Sequence, residues 1–227
     1  MTNIYLPSTG PESWRRLLGD PERHWVRGRS AWELAHSWES ADGIPASVTR
    51  VLDADDEPSL HDLEIVAAFP EHQTPLPGGS RPTQTDLLVL ARSHANGDLV
   101  VLGVEGKVDE PFGPLVDEWD PSSSPGKTRR LAFLCDKLGL DPAQVGDLRY
   151  QLLHRTVGAM LEAERFGASS AALVVHSFAD TDAGFSDYAA FLARLGAPAT
   201  TASSTARLAT SGPLRMLAAW VPDSVAS

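Results

Sequence analysis

Two nearly continuous apolar runs constrain the fold of this chain more than any other feature of its sequence. They cover residues 87–91 and 99–104, and the second contains only apolar residues and one glycine. Strands of this kind are covered on both faces, whereas a strand with one face in water alternates apolar and polar residues. The runs therefore predict a central sheet with helices on both sides, as in α/β proteins.

Other patterns predict the elements around these two runs. Ser30 followed by Glu33 predicts a capping box at the start of a helix. A Ser/Thr-rich stretch at 197–206 predicts a loop. The predicted order is helix, three strands, helix, strand, helix, strand. The strands are predicted at 63–69, 86–91, 99–107, 171–176 and 214–221, and the helices at 11–19, 31–41, 129–138, 148–166 and 185–195.

Length, charge and cysteine usage limit the class of protein. The chain has 227 residues and no evident linker or repeat, so we expect a single domain over residues 1–227. Its one cysteine excludes an intramolecular disulfide. No run approaches about 18 apolar residues, and no signal peptide is evident, so we expect a cytoplasmic protein with no membrane span. The net charge of −11 argues against a DNA-coating protein, but not against a local nucleic-acid site.

Two carboxylates and an ammonium group are predicted to meet at one end of the sheet. Glu105 and Lys107 are two residues apart, so on a strand they point to the same face. A turn signal at 96–98 predicts a hairpin that brings Asp86 beside Glu105. Gly106 has no side chain to shield its carbonyl oxygen, which could be a further ligand.

Such a set is suited to phosphodiester hydrolysis. A divalent cation held by hard oxygen ligands neutralises the phosphate and activates water, while a positive side chain stabilises the charge that develops on phosphorus. The sequence therefore predicts a metal site at Asp86, Glu105 and the Gly106 carbonyl, with Lys107 in the electrostatic role. The alternative is an ion-pair network of Asp86, Glu105 and Lys107 without metal, or a decayed site.

This arrangement resembles the PD-(D/E)XK nuclease superfamily, although Thr85 stands where the motif has proline. The resemblance covers about residues 30–180. It implies a restriction-endonuclease-like αβββαβ core: a mixed central sheet flanked by helices, with added N-terminal helices and a C-terminal helix and strand. It also implies Mg²⁺ or Mn²⁺ on Asp86 and Glu105, with Lys107 orienting water or stabilising the phosphorane.

Further residues follow from the same resemblance. Several branches place a glutamine on the helix after the core strands and a glutamate on the first helix; Gln151 and Glu39 are the matches here. The whole chain also resembles an uncharacterised bacterial family within the superfamily, through blocks 68–72, 104–113 and 149–156. Many members of the superfamily are dimers, so a homodimer is a further expectation.

The basic side chains complete the hypothesis. Arg155 is one helical turn from Gln151 and shares its face. Contact with a phosphate backbone is predicted for Lys127, Arg129, Arg130, Arg149 and Arg155, with salt bridges to the excess carboxylates as the alternative. The leading hypothesis is a metal-dependent phosphodiesterase acting on DNA or RNA. The alternatives are a catalytically silent nuclease-fold domain that binds a nucleic acid or a protein, and a metal-dependent hydrolase of a small phosphorylated molecule.

Overall fold

The two apolar runs form the centre of a six-stranded mixed sheet. The computed structural model of the chain describes residues 7–179, 181, 183–197 and 201–225. The strands are β1 (Leu63–Thr74), β2 (Thr83–Ser93), β3 (Leu99–Lys107), β4 (Ser170–Ser177), β5 (Ser204–Leu208) and β6 (Arg215–Pro222). The helices are α1 (Glu12–Arg15), α2 (Pro21–His24), α3 (Ser30–Ser40), α4 (Ala46–Leu52), α5 (Val116–Trp119), α6 (Pro125–Leu138), α7 (Tyr150–Phe166) and α8 (Phe185–Arg194).

The strand order across the sheet is β1-β2-β3-β4-β6-β5. β1, β2 and β3 pair in antiparallel fashion, so the predicted hairpin between β2 and β3 is confirmed. β4 lies parallel to β3, and β6 lies parallel to β4. Parallel neighbours need a long crossover, which α5–α7 supply between β3 and β4, and α8 and β5 supply between β4 and β6. β5 pairs antiparallel with β6 at the far edge. The α/β class is therefore confirmed, as a mixed open sheet flanked by helices.

Helices cover both faces of the sheet, as the apolar runs predict. Successive residues of β3 point to opposite faces, and Val101 and Leu102 belong to two separate buried clusters. The cluster that contains Val101 includes apolar side chains of α6, α7 and α8. The cluster that contains Leu102 includes those of α3 and α4 and Trp14 of α1. Both β3 residues have no exposed surface.

A glycine in β3 brings α7 close to the sheet. A Cβ atom on Gly103 would lie 3.0 Å from the Ala159 Cβ of α7, closer than normal packing allows. The absence of this atom lets α7 rest against β3 at short range. α7 carries Gln151 and Arg155, so this contact places both side chains near the end of β3.

Several boundaries differ from the sequence predictions. The capping box is wrong, because Ser30 is the first residue of α3 and Glu33 instead accepts a hydrogen bond from the Gly28 N–H. α4 was not predicted, and β5 lies partly inside the predicted loop at 197–206, where 198–200 are outside the described residues. The C-terminal addition, predicted as a helix and one strand, is therefore a helix (α8) and two strands (β5 and β6). In the part of the chain that the structure describes, no helix is both long and apolar enough to cross a membrane.

Candidate active site

A cavity of about 650 Å³ opens where β1, β2 and β3 meet α7 and the N-terminal segment. Its walls are mostly polar at the sheet side, where buried carboxylates and cations converge. The side chains on which the chemistry would depend are Glu71, Gln84, Asp86, Glu105, Lys107, Gln151, His154 and Arg155.

The register of the hairpin brings Asp86 and Glu105 together. Leu87 pairs with Val104, so the next residue on each strand, Asp86 and Glu105, stands at the same end of the hairpin. The backbone N–H of Gly106 donates to Asp86 Oδ2 at 3.0 Å, which fixes the carboxylate against β3. The sequence prediction that these two residues are neighbours is confirmed.

Glu105, Lys107 and Gln151 form a closed hydrogen-bonded triangle. Lys107 Nζ donates to Glu105 Oε1 and to Gln151 Oε1, each at 3.2 Å. Gln151 Nε2 donates to the same Glu105 oxygen at 2.5 Å. Glu105 and Lys107 are only 3% and 4% exposed, so the carboxylate and the ammonium group satisfy each other out of water. The helical glutamine predicted from the resemblance therefore does lie beside the Glu105–Lys107 pair.

Arg155 lies between the two predicted metal ligands. Its Nε donates to Glu105 Oε2 at 2.6 Å, and its Nη2 lies 3.5 Å from Asp86 Oδ1. Its Nη1 is 3.4 Å from the Thr83 hydroxyl oxygen. The sequence predicted that Arg155 contacts a phosphate backbone. In the structure its guanidinium instead faces the carboxylates of Glu105 and Asp86. Asp86, Glu105, Lys107 and Arg155 form an ion-pair network, and metal binding at this site stays a prediction.

Glu71 is a third carboxylate of the cavity that sequence reasoning missed. Its φ of +52° is in the left-handed region, which a non-glycine residue adopts rarely and often at functional sites. Gln84 Nε2 donates to Glu71 Oε2 at 2.5 Å. Burial raises the pKa of Glu71 to about 7, against the lowering effect of Gln84 and Arg155. The signal available in the sequence was the Pro70-Glu71 pair inside a strand, which does not reveal where the carboxylate points.

If all three carboxylates were ionised, they would carry one more negative charge than Lys107 and Arg155 can neutralise. Burial, followed by repulsion from Glu105, raises the pKa of Asp86 well above its usual range. Burial would also raise the pKa of Glu105, but Arg155 and Lys107 outweigh it and hold that pKa below its usual value. Excess charge on hard oxygen atoms is the chemistry that Mg²⁺ and Mn²⁺ satisfy.

The donor set fits a hard divalent cation in its chemistry, though not in its present spacing. Among the described residues, no group of three or more His, Cys, Asp or Glu side chains is close enough to hold a metal ion. Arg155 occupies the position between Asp86 and Glu105 that a shared cation would need. A metal ion would therefore bind only if the guanidinium moved aside.

Gly106 has a packing role that the sequence analysis did not identify. A Cβ at this position would lie 3.2 Å from the Ser30 carbonyl oxygen and 3.3 Å from Leu34 Cβ. The glycine therefore lets the start of α3 approach β3 directly beside the site. Whether its carbonyl oxygen binds metal stays a prediction.

The structure does not bring Glu39 to the cavity. Its Oε1 accepts a hydrogen bond from Trp14 Nε1 at 2.7 Å and another from the Ser8 hydroxyl. Ser30 and Ala31, at the other end of α3, line the cavity. At a rise of about 1.5 Å per residue, nine residues separate these two ends by roughly 13 Å. Glu39 is therefore a structural residue that fixes α1 to α3.

The remaining predicted phosphate-binding residues are mostly engaged within the chain. Lys127 Nζ donates to the Trp119 carbonyl at 2.5 Å. Arg130 Nε donates to the Pro77 carbonyl at 2.9 Å, and its Nη2 donates to that of Arg81 at 2.7 Å. Arg149 pairs with Asp187 at 2.9 Å. Arg129 is exposed on α6. Arg149 therefore forms a salt bridge of the kind given as the alternative, whereas Lys127 and Arg130 bind backbone carbonyl oxygens instead.

Comparison with known proteins assigns the chain to a family. The model of a domain of unknown function (DUF6946) matches residues 7–224, nearly the whole chain. No curated protein and no solved structure matches it. The description of this family names no function, so a function has to be inferred from the cavity.

Proposed function

We propose that this chain, which belongs to the DUF6946 family, is a metal-dependent phosphodiesterase that hydrolyses DNA or RNA. The observation that carries the proposal is the convergence of Asp86, Glu105 and Lys107 with Gln151 in one cavity. Two carboxylates that can hold a cation, and a lysine that can stabilise charge on the phosphate, are groups that this hydrolysis uses. Isolated ion pairs on a protein surface do not show this arrangement.

The order of elements supports a restriction-endonuclease-like core. α3 precedes the antiparallel strands β1, β2 and β3, and α7 then connects to β4, which lies parallel to β3. This is the αβββαβ order that the sequence resemblance implies. β6 and β5 are additions beyond β4 in the strand order, and α8 lies between β4 and β5 in the chain.

Each side chain of the site has a defined part in the proposed reaction. When bound, Mg²⁺ or Mn²⁺ would neutralise the phosphate and lower the pKa of a water molecule. Asp86 and Glu105, with Glu71 nearby, would hold that ion. Lys107, fixed by Glu105 and Gln151, would stabilise the negative charge that grows on the phosphate oxygens. Arg155, once released from the carboxylates, would supply a second positive charge in the same cavity.

One observation favours a second candidate, a catalytically silent nuclease-fold domain that binds a partner. The Arg155 guanidinium already satisfies Glu105 and approaches Asp86, so part of the negative charge of the site is balanced by the protein itself. A site that had lost its cation requirement would be stabilised in this way.

Calorimetric titration with Mn²⁺ and Mg²⁺ separates the two candidates. We expect the wild type to bind the ions, and Asp86→Asn and Glu105→Gln to abolish binding. Asp109→Asn is the matched control, because Asp109 is an exposed carboxylate two residues beyond Lys107. We also expect the wild type with Mn²⁺ to cleave nucleic-acid substrates. Wild-type protein that binds neither ion, alone or with an oligonucleotide present, would favour the silent domain.

A further inference from the structure

The N-terminal segment is positively charged, unlike the rest of the chain. Residues 12–32 contain five arginines and three acidic residues, a net charge of +2, whereas the whole chain carries −11. We call residues 12–32 the N-terminal wall. A local basic region in an acidic protein concentrates an anionic partner at one place and repels it elsewhere.

The N-terminal wall borders the candidate active site. Leu18, Gly19, Asp20 and His24 line the cavity, followed by Ser30 and Ala31 at the start of α3. The same cavity contains Glu105, Lys107 and Gln151. The N-terminal wall and the proposed catalytic groups therefore border the same cavity, and the arginines of the wall lie within a few residues of its lining.

Several arginines of the N-terminal wall present their charge to water. Arg16 and Arg23 are exposed. Arg29 has a side chain that is 58% exposed, and its nearest carboxylate oxygen, on Asp109, lies 4.0 Å away. A surface pair at that distance contributes little free energy, so a phosphate can replace the carboxylate at little cost. By contrast, Lys127, Arg130 and Arg149 already bind oxygen atoms of the protein.

A partly exposed aromatic stack accompanies these charges. Trp32 stacks on His36 with ring centroids 3.6 Å apart, and Trp25 approaches the same imidazole at 6.0 Å. The Arg27 guanidinium carbon lies 5.7 Å from the centroid of the Trp32 ring. Aromatic faces next to arginines are the features on which unpaired bases stack in single-strand-binding proteins.

We propose that the N-terminal wall binds single-stranded nucleic acid and leads the strand into the cavity, an inference that rests on the proposed function. Phosphates would contact Arg16, Arg23 and Arg29, while bases would stack on the Trp32 side. A single strand fits better than a duplex for two reasons. The catalytic pair lies almost fully buried in a cavity of about 650 Å³, and stacking on Trp32 requires bases that are not already paired.

Fluorescence anisotropy with a labelled oligonucleotide of about twelve nucleotides tests this binding in EDTA, where no metal chemistry contributes. The triple variant Arg16→Gln/Arg23→Gln/Arg29→Gln removes the wall charges. The control Arg50→Gln/Arg92→Gln/Arg207→Gln removes three exposed charges outside the wall. Trp32→Leu removes the aromatic face while keeping an apolar side chain.

We expect the wall variant to bind the single strand at least tenfold more weakly than the wild type, with the control within about twofold. On a single strand, each phosphate contact contributes about 0.7 to the slope of log binding constant against log salt concentration. Loss of three contacts should therefore reduce the magnitude of that slope by about 2. Trp32→Leu should weaken binding at every salt concentration with little change of slope. A matched duplex should bind more weakly than the single strand.

Three results would overturn the inference: equal binding by the wall and control variants, tighter binding of the duplex, or no binding by the wild type. Hydrolysis of a small phosphodiester, bis(p-nitrophenyl) phosphate, with Mn²⁺ is measured in parallel on the wild type. Hydrolysis without strand binding would refute the role of the wall and leave the proposed chemistry standing, with a small phosphorylated substrate. Strand binding with neither metal binding nor hydrolysis would refute the proposed chemistry and leave a binding domain.

Discussion

The Arg155 Nε donates to Glu105 Oε2 at 2.6 Å, and both side chains are almost completely buried. The same guanidinium lies 3.5 Å from Asp86 Oδ1. Burial would lower the pKa of Arg155, but Glu105 and Asp86 outweigh it and raise that pKa above its usual value, so the arginine stays charged. A permanent internal cation therefore holds the position that a metal ion would share, and the two cations should compete.

This competition predicts the behaviour of Arg155→Met. Without metal, the variant leaves Glu105 and Asp86 short of a buried counter-charge, so we expect the free energy of unfolding to fall by about 3 kcal/mol. Mn²⁺ should then raise the melting temperature of the variant more than that of the wild type, because the ion supplies the missing charge without displacing a guanidinium. Thermal unfolding with and without Mn²⁺ measures both effects.

Arg149→Met is the control for this experiment. Arg149 is also a partly buried arginine of the same region, but its ion pair is with Asp187. Its loss should reduce stability without changing the shift that Mn²⁺ produces. An Mn²⁺ shift in Arg155→Met that is no larger than in the wild type would show that the arginine and the metal do not compete.

Lys107→Met tests the electrostatic part of the proposed reaction. Lys107 is held by Glu105 and Gln151, and its Nζ lies 4.7 Å from the Phe112 ring centroid, so its position is fixed before substrate binds. Removal of one preorganised positive group should lower kcat by about 10²- to 10³-fold. Mn²⁺ affinity should not fall, because lysine is not a ligand and its loss removes a positive charge beside Glu105. Lys137→Met, which breaks a surface pair with Glu164, should leave kcat unchanged.

The raised pKa of Glu71 predicts that its contribution to the free energy of unfolding falls as pH rises. The pKa of Glu71 is about 7 in the fold against 4.5 for the free side chain, so the folded protein binds this proton more tightly than the unfolded chain does. Its contribution to stability is therefore complete below pH 4.5 and is lost as pH rises through about 7. Glu71→Gln should remove on the order of 3 kcal/mol of this pH dependence. Urea denaturation between these pH values, in EDTA, provides the measurement; parallel curves for the two proteins would contradict the assignment.

The sequence predicts the sheet centre and the pairing of Asp86 with Glu105 because both follow from local rules. Apolar runs identify β2 and β3, and a turn signal sets their antiparallel register. Gln151 and Arg155 share a face because they are one turn apart on α7. Patterns with a fixed period thus carried reliable information about which side chains meet.

Long-range contacts were the part that sequence patterns could not supply. The role of Arg155 depends on how closely α7 rests on Gly103, and no local rule gives that distance. Glu71 lies in the cavity because of an irregular backbone conformation in β1 rather than through strand alternation. Glu39 was assigned by analogy to a helix position, but the direction of α3 carries it to the opposite end from the site.

A second buried polar cluster joins the N-terminal helices to the C-terminal segment. His176 of β4 has no exposed surface; its Nδ1 accepts a hydrogen bond from Trp38 Nε1, and its Nε2 lies 2.9 Å from Asp223 Oδ2. The Ser47 hydroxyl donates to the same Asp223 oxygen at 2.6 Å. Since Nδ1 accepts, the proton of the neutral imidazole lies on Nε2 and points at the carboxylate. The cluster therefore connects α3, α4, β4 and the segment after β6.

This cluster predicts a loss of stability in acid, opposite in sign to the effect of Glu71. Burial lowers the pKa of His176 against the opposing effect of Asp223, so below about pH 6.5 the unfolded chain takes up a proton that the fold excludes. The His176 hydrogen bond lowers the pKa of Asp223 to about 2, so its contribution is present above pH 3.8 and is lost as pH falls through about 2. Asp223→Asn should reduce the free energy of unfolding at pH 7 by about 1–2 kcal/mol and flatten its decline below pH 4. Asp42→Asn, at an exposed carboxylate, should change neither. Urea denaturation from pH 7 to 3 would contradict this account if Asp223→Asn lost stability in acid as steeply as the wild type.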